Sequence, residues 1–163
     1  MTIYSFSPLG HKGTLVLVET KFRKESSPFD IVGLSDGDIG AARSRVRCAI
    51  KNYGIQEDGF MVHLEPCDLL KQGTFFDLAM AVSIANYSGK FNFTDKSVLI
   101  LGELGLQGQV YPVKGVQEAV KVAIEKGIEL AIIPMANIED DLGIKAIGVS
   151  NISQALDKLQ ASN

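Results

Sequence analysis

Tryptophan is absent from this chain of 163 residues, and cysteine occurs only twice. Cys48 and Cys67 are too few for a disulfide framework and too isolated for a metal site. No apolar run approaches the roughly 20 residues that a membrane-spanning helix needs. Residues 1–5 also lack the basic flank and apolar stretch of a signal peptide. These absences exclude disulfide-rich secreted and membrane-spanning classes and predict a cytoplasmic protein.

The composition is that of an ordinary globular domain. Apolar residues make up 46% of the chain and charged residues 21%, which is close to the globular average. A chain of this length is typical of one domain, and no low-complexity tract, repeat or linker divides it. We therefore predict a single domain over residues 1–163.

Periodicity predicts a mixture of strands and helices. Apolar or alternating runs predict strands, and apolar residues three and four apart predict amphipathic helices, the first of them capped by Ser35 or Asp36. A helix from Phe75 to Tyr87 is apolar nearly all round, which places it in the core. The expected fold is α+β, or mixed α/β, in one unit whose sheet packs with helices. The predicted strands are 14–22, 29–34, 59–65, 97–102, 109–111, 130–133 and 144–149, and the helices are 35–53, 75–87, a segment from 116 that Gly127 closes, and 152–159.

The charge is unevenly distributed along the chain. The net charge is −3, but residues 1–53 carry +3 and residues 54–163 carry −6. The candidates for binding an anion or an acidic partner are Arg43, Arg45, Arg47 and Lys51 on the first helix. Arg43 and Arg47 flank the apolar stripe of that helix, and Arg45 is expected to point away from it. A solvated helix face explains the same charges, and without interleaved aromatic residues any nucleic-acid binding is expected to be weak.

Two segments resemble the proteolytic domain of Lon-type proteases. They are residues 71–77 (KQGTFFD) and residues 102–117 (GELGLQGQVYPVKGVQ). The resemblance implies a serine nucleophile where this chain has Phe75, and an activating lysine where it has Gln117. The dyad is therefore degenerate, and the resemblance implies no catalytic residue. Phe75 is expected to open the buried helix and to add packing there.

The whole chain further resembles the N-terminal region of the ComM/YifB family. The similarity rests on residues 31–34 (IVGL), 42–52 (ARSRVRCAIKN), 64–69 (LEPCDL) and 76–78 (FDL). This family consists of magnesium-chelatase-related AAA+ ATPases whose N-terminal domain is Lon-like. The chain departs from it in turns, with Ser35 in place of the family's proline and EPCDLLK at 65–71 in place of APADLPK.

The resemblance implies a function for a larger parent protein. That parent is a ring-forming, ATP-driven motor on DNA, linked to recombination by branch migration during competence. No Gly-x-x-x-x-Gly-Lys-Ser/Thr phosphate loop occurs in this chain, so ATP and Mg²⁺ are expected only in an ATPase module outside it. The chain itself is expected to need no cofactor. Expected partners are that ATPase module, a homo-oligomer and a weak contact with DNA, without a membrane.

Two other classes of function stay open at this point. A divergent peptidase with a relocated nucleophile is one, with Thr74 and Lys114 as candidate substitutes, although both are displaced along their segments. A stand-alone nucleic-acid-binding scaffold is the other. His63 and Cys67 form a further nucleophile–base candidate, but Cys67 is better interpreted as a small buried apolar residue.

Three acidic residues in the motifs call for a structural explanation first. Asp68 and Asp77 match positions that the family retains, and the dipole of the following helix accounts for Asp77. Glu103 lies in an apolar strand and turn and needs a partner if it is buried. We expect a hydrogen bond from the helix that carries Arg43 and Arg47.

Overall fold

Helices and strands are interspersed along the part of the chain that the computed structural model describes, residues 1–9 and 12–161. The strands are β1 (Thr2–Ser7), β2 (Thr14–Phe22), β3 (Asp30–Val32), β4 (Phe60–Glu65), β5 (Ser97–Ile100), β6 (Glu103–Leu104), β7 (Val110–Tyr111), β8 (Leu130–Pro134) and β9 (Lys145–Val149). The helices are α1 (Asp36–Lys51), α2 (Asp77–Ser88), α3 (Val116–Glu125) and α4 (Ile152–Leu159), with a short 3₁₀-helix at Met135–Asn137.

Seven of these strands form one mixed sheet in the order β3-β4-β2-β1-β5-β8-β9. Strand β1 pairs antiparallel with β2 and parallel with β5, so it joins the antiparallel half of the sheet to the parallel half. Strands β5, β8 and β9 continue in parallel. Strands β6 and β7 form a separate hairpin directly after β5. The predicted mixed fold is confirmed.

The sheet separates two apolar clusters, because successive side chains of a strand point to opposite faces. Helices α1, α2 and α4 cover one face, where α2 is buried from Asp77 through Ala85. Helix α3 covers the other face and packs against Leu99, Leu101 and Ile133. The central position predicted for the apolar helix is confirmed.

Most predicted elements are present with shifted ends. Strand β2 has the predicted bounds, and the four apolar residues predicted for the last helix are all buried in α4. Strand β1 was not predicted, although it occupies the middle of the sheet. Its sequence, TIYSFS, mixes apolar residues with Ser5 and Ser7, and these serines are buried.

The start of α1 differs from the prediction in its chemistry. Ser35 is the N-cap residue, but its hydroxyl makes no capping hydrogen bond to the backbone. It donates instead to Asp38 Oδ2 at 2.6 Å. The first turn of α1 is thereby joined to a side-chain network described below.

Candidate functional site

Phe75 lies in a loop that is fixed to the carboxyl end of β5. Its carbonyl oxygen accepts from Gly102 N at 3.2 Å, and Leu78 N donates to Gly102 O at 3.1 Å. The prediction that Phe75 opens the buried helix is wrong by two residues, since α2 begins at Asp77. Phe76 is fully buried, whereas Phe75 is half-buried and packs edge-on against it with ring centroids 6.1 Å apart.

The exposed side of Phe75 borders a cleft of about 510 Å³. Leu9, Ser35, Asp38 and Gln72 are among the other residues that line this cleft. Its wall is held together by Asp38, whose Oδ2 also accepts from Gly73 N at 3.1 Å. The hydrogen bonds from Ser35 and then Gly73 lower the pKa of Asp38. An aromatic ring therefore lies where the resemblance places a nucleophile, at the border of this cleft.

Gln117, the other degenerate position, borders a different cavity. It is exposed in the first turn of α3, and its Nε2 donates to Glu139 Oε2 at 2.6 Å. The cavity that it lines, of about 480 Å³, includes Ile124 and Leu142 and shares no residue with the cleft at Phe75. The structure therefore assigns the two degenerate positions to separate surface depressions.

Asp77 and Arg45 form an ion pair between α2 and α1. Arg45 Nε lies 2.7 Å from Asp77 Oδ2, and Arg45 Nη2 lies 3.1 Å from Oδ1. Leu104 N also donates to Asp77 Oδ2, at 3.1 Å. Burial raises the pKa of Asp77, while Arg45 and Leu104 N act in the opposite direction. The prediction that Arg45 points away from the packed side of α1 is wrong, and the helix dipole alone does not account for Asp77.

Glu103 accepts a hydrogen bond from a different partner than predicted. Thr74 Oγ1 donates to Glu103 Oε2 at 2.9 Å, while no hydrogen bond joins Glu103 to an arginine of α1 within the described residues. Glu103 acts on α1 through its charge: the hydrogen bond to Asp77 is the main cause that raises the pKa of Arg45, and the charge of Glu103 adds to it. Lys114 is exposed. Of the two candidate substitutes for the dyad, Thr74 is thus bonded to a carboxylate rather than to an amine.

Lys71 is a buried charge that the sequence did not single out. Its side chain is 0% exposed, and its Nζ donates to Pro66 O and, at 2.9 Å, to Leu69 O. Burial lowers the pKa of Lys71. Lysine is almost never fully buried without a charged partner, so no local pattern could have indicated this position.

The basic residues of α1 are largely engaged within the molecule. Arg47 Nε lies 2.7 Å from Glu57 Oε1, and Arg43 Nη1 donates to Phe29 O at 3.4 Å. With Arg45 paired to Asp77, Lys51 is the fourth candidate and is exposed at the end of α1.

The remaining candidates do not assemble into a site. Cys48 and Cys67 are both exposed, so the prediction that Cys67 is a buried apolar residue is wrong. His63 Nδ1 lies 4.0 Å from Glu65 Oε1, and Asp68 is exposed. Across residues 1–9 and 12–161, no three His, Cys, Asp or Glu side chains are grouped to hold a metal ion. None of the helices in those ranges is both long and apolar enough to cross a bilayer.

Comparison with known protein families identifies the family of this chain. Residues 18–137 match the protein family described as subunit ChlI of Mg-chelatase. The chain therefore belongs to this Mg-chelatase ChlI family.

Three relatives show how far the similarity extends. The uncharacterized protein Rv2897c of Mycobacterium tuberculosis is 30% identical over 98% of this chain and 33% of its own length. Competence protein ComM of Haemophilus influenzae is 32% identical over 80% of this chain and 26% of its own length. The uncharacterized protein YifB of Escherichia coli is 31% identical over 87% of this chain and 28% of its own length. The chain spans a third or less of each relative.

Proposed function

We propose that this chain is a non-catalytic, Lon-like domain of a ComM/YifB-type Mg-chelatase-like ATPase. Its role is assembly, regulation or partner docking in a cytoplasmic protein. The observation that carries the proposal is the loop at Phe75, where a half-buried ring packed on Phe76 stands in place of a nucleophile. A Ser–Lys dyad needs a hydroxyl and an amine within hydrogen-bond reach, and neither Phe75 nor Gln117 supplies one.

The polar groups around Phe75 support the same conclusion. Arg45 and Asp77 are paired with each other, and Asp38 binds the loop through Gly73 N. Thr74 Oγ1 donates a hydrogen bond to Glu103 Oε2. Each of these groups has a partner among the described residues that stabilises the loop, which supports a structural role for them over a catalytic one.

The activity of the parent is a further part of the proposal. The resemblance to the ComM/YifB family implies an ATP-driven DNA motor that acts in recombination, and the name of the relative called competence protein ComM supports a part in competence. ATP does not fit this chain, which has no phosphate loop, so nucleotide and Mg²⁺ would bind in an ATPase module. We expect this domain to contact that module and to associate with further copies. Contact with DNA through Arg43 and Lys51 would be weak, because Arg45 and Arg47 are already paired.

Assays of the purified chain test the non-catalytic role. We expect no hydrolysis of a fluorogenic casein substrate and no ATP turnover. The double variant Phe75→Ser/Gln117→Lys should stay inactive as well, because Glu139, which accepts from Gln117, would hold the new lysine in an ion pair.

A matched variant separates the possible failures of this proposal. Peptide hydrolysis by the wild type that disappears in Thr74→Ala/Lys114→Ala would establish a relocated dyad. Hydrolysis that survives in this variant would also contradict the proposal and would indicate another nucleophile. Circular dichroism of each variant checks that the fold is retained.

A further inference from the structure

The segment 138–142 is flanked by two depressions on the α3 side of the sheet. One cavity, of about 680 Å³, lies between this segment and the edge strand β9. The other, of about 480 Å³, lies between the segment and α3. Both are lined by Ile124, Glu139, Asp141 and Leu142. We refer to the surface formed by Ile124 and residues 138–142 as the 138–142 groove.

Apolar side chains are exposed in this groove. Ile124 is 43% exposed on α3, and Ile138 is 39% exposed. Leu142, which lines the same cavity as these two residues, is half-buried. Large aliphatic side chains left in water at the border of a cavity are typical of a docking surface, whereas isolated ones are ordinary.

The rim of the groove is strongly acidic. Glu125, Glu129, Glu139, Asp140 and Asp141 line the two cavities. The lining contains two cations, Lys121 and Lys145, and neither forms an ion pair within residues 1–9 and 12–161. An excess of carboxylates over lysines beside apolar surface favours a cationic partner and repels nucleic acid.

Packing holds the groove in its shape. Asn137 donates to Val113 O and accepts from Val113 N, each at 3.0 Å, which fixes the segment to the start of α3. Ile138 packs so closely on Gly148 of β9 that a Cβ there would lie 2.6 Å from Ile138 Cγ1. A preformed surface loses little conformational freedom when a partner binds.

Gln117, one of the two degenerate dyad positions, forms a hydrogen bond with a residue of the groove. Its amide donates to Glu139 without a compensating charge. A lysine at this position would place a cation beside Glu139 and reduce the negative potential of the groove. The glutamine therefore keeps the rim acidic.

We propose that the 138–142 groove binds a basic segment of a partner protein, with apolar side chains seated near Ile124 and Ile138 and lysine or arginine on the acidic rim. The charge complementarity selects this partner over nucleic acid. The inference deepens the partner-docking part of the proposed function and names the chemistry of the partner.

A synthetic peptide provides the probe. An amphipathic peptide of leucine and lysine, about 14 residues or four helical turns long, is titrated into the full chain. A peptide of the same pattern with glutamate in place of lysine is the ligand control. We expect the lysine peptide to bind in a salt-dependent manner, and the glutamate peptide not to bind.

Variants of the chain locate the site. Glu139→Lys/Asp141→Lys should weaken binding of the lysine peptide roughly tenfold or more, since it reverses charge on the rim. Glu19→Lys/Asp157→Lys makes the same change of net charge at exposed positions outside the groove and should bind as the wild type does. Gln117→Lys and Ile124→Ser should each weaken binding several-fold. Circular dichroism confirms that every variant is folded.

Three results would overturn the proposal. No binding of the lysine peptide would exclude a basic partner. An equal loss of affinity for this peptide in both double variants would show that binding depends only on the net charge of the chain. Sedimentation showing a wild-type dimer that Glu139→Lys/Asp141→Lys dissociates, without peptide binding, would assign the groove to a second copy. None of these results bears on turnover, so the non-catalytic role is tested separately.

Discussion

At the scale of single residues, Lys71 illustrates how burial changes the behaviour of a charge. Carbonyl oxygens of Pro66 and Leu69 surround its ammonium group, and no carboxylate pairs with it within the described residues. Burial lowers its pKa from the ordinary 10.5, although the charges of Cys67 and Asp68 oppose this change. The side chain joins the two ends of the loop that precedes Phe75.

The lowered pKa of Lys71 predicts a pH dependence of stability. Between the folded-state pKa and 10.5 the unfolded chain binds more protons, so the contribution of Lys71 to the free energy of unfolding rises with pH. Below the folded-state pKa the contribution is constant and unfavourable. Lys71→Met removes this dependence, and urea unfolding from neutral to alkaline pH should show a flatter profile than the wild type.

An exposed lysine provides the control for this experiment. Lys158→Met changes α4 at an exposed position and should keep the wild-type profile. Identical profiles for wild type and Lys71→Met would contradict the role given to burial.

At the scale of elements, the ion pair of Arg45 with Asp77 fixes α1 against α2. Asp77 is 1% exposed and Arg45 19% exposed at their side chains, so the pair is largely removed from water. Leu104 N binds the same carboxylate and attaches the hairpin after β5. One side chain thereby positions two helices and a hairpin around the loop of Phe75.

Removal of the Asp77 carboxylate should therefore be costly. Asp77→Ala leaves Arg45 and Leu104 N without their acceptor, and we expect a loss of about 3–5 kcal/mol in the free energy of unfolding. Asp58→Ala removes an exposed partner of Arg47 and should cost about 1 kcal/mol or less. Urea unfolding of the two variants measures the difference, and similar losses would show that the pair is not structurally dominant.

At the scale of the whole molecule, one sheet supports both apolar clusters. Leu99 faces α3, while its neighbours Val98 and Ile100 face α2, so β5 contributes to both sides. Unfolding of either cluster would remove strands against which the other cluster packs. The two faces should therefore unfold together.

Calorimetry tests this coupling. We expect one thermal transition with a calorimetric enthalpy of about 110 kcal/mol near 60 °C and a van't Hoff enthalpy equal to it. Two resolved transitions, or a van't Hoff enthalpy well below the calorimetric one, would mean that the faces unfold independently.

The sequence could predict the elements but few of the contacts of the candidate site. β-Branched and apolar residues located β2, alternation located β4, and a continuous apolar run located β5, because these patterns are local. Strand β1 escaped prediction because buried serines interrupt its pattern, and its place is determined by pairing with β2 and β5. The orientation of Arg45 was predicted wrongly for a related reason, since its partner Asp77 lies 32 residues further along the sequence.

By itself, the sequence determined the family and the mixed fold. It also determined that serine and lysine are absent at the positions of Phe75 and Gln117. These results follow from the identity and order of the residues. Only the tertiary structure decided that Phe75 and Gln117 border separate cavities, and that Glu139 lies beside Gln117. Such contacts depend on how the helices pack across the sheet. That packing minimises exposed apolar surface over the whole chain, which no local pattern records.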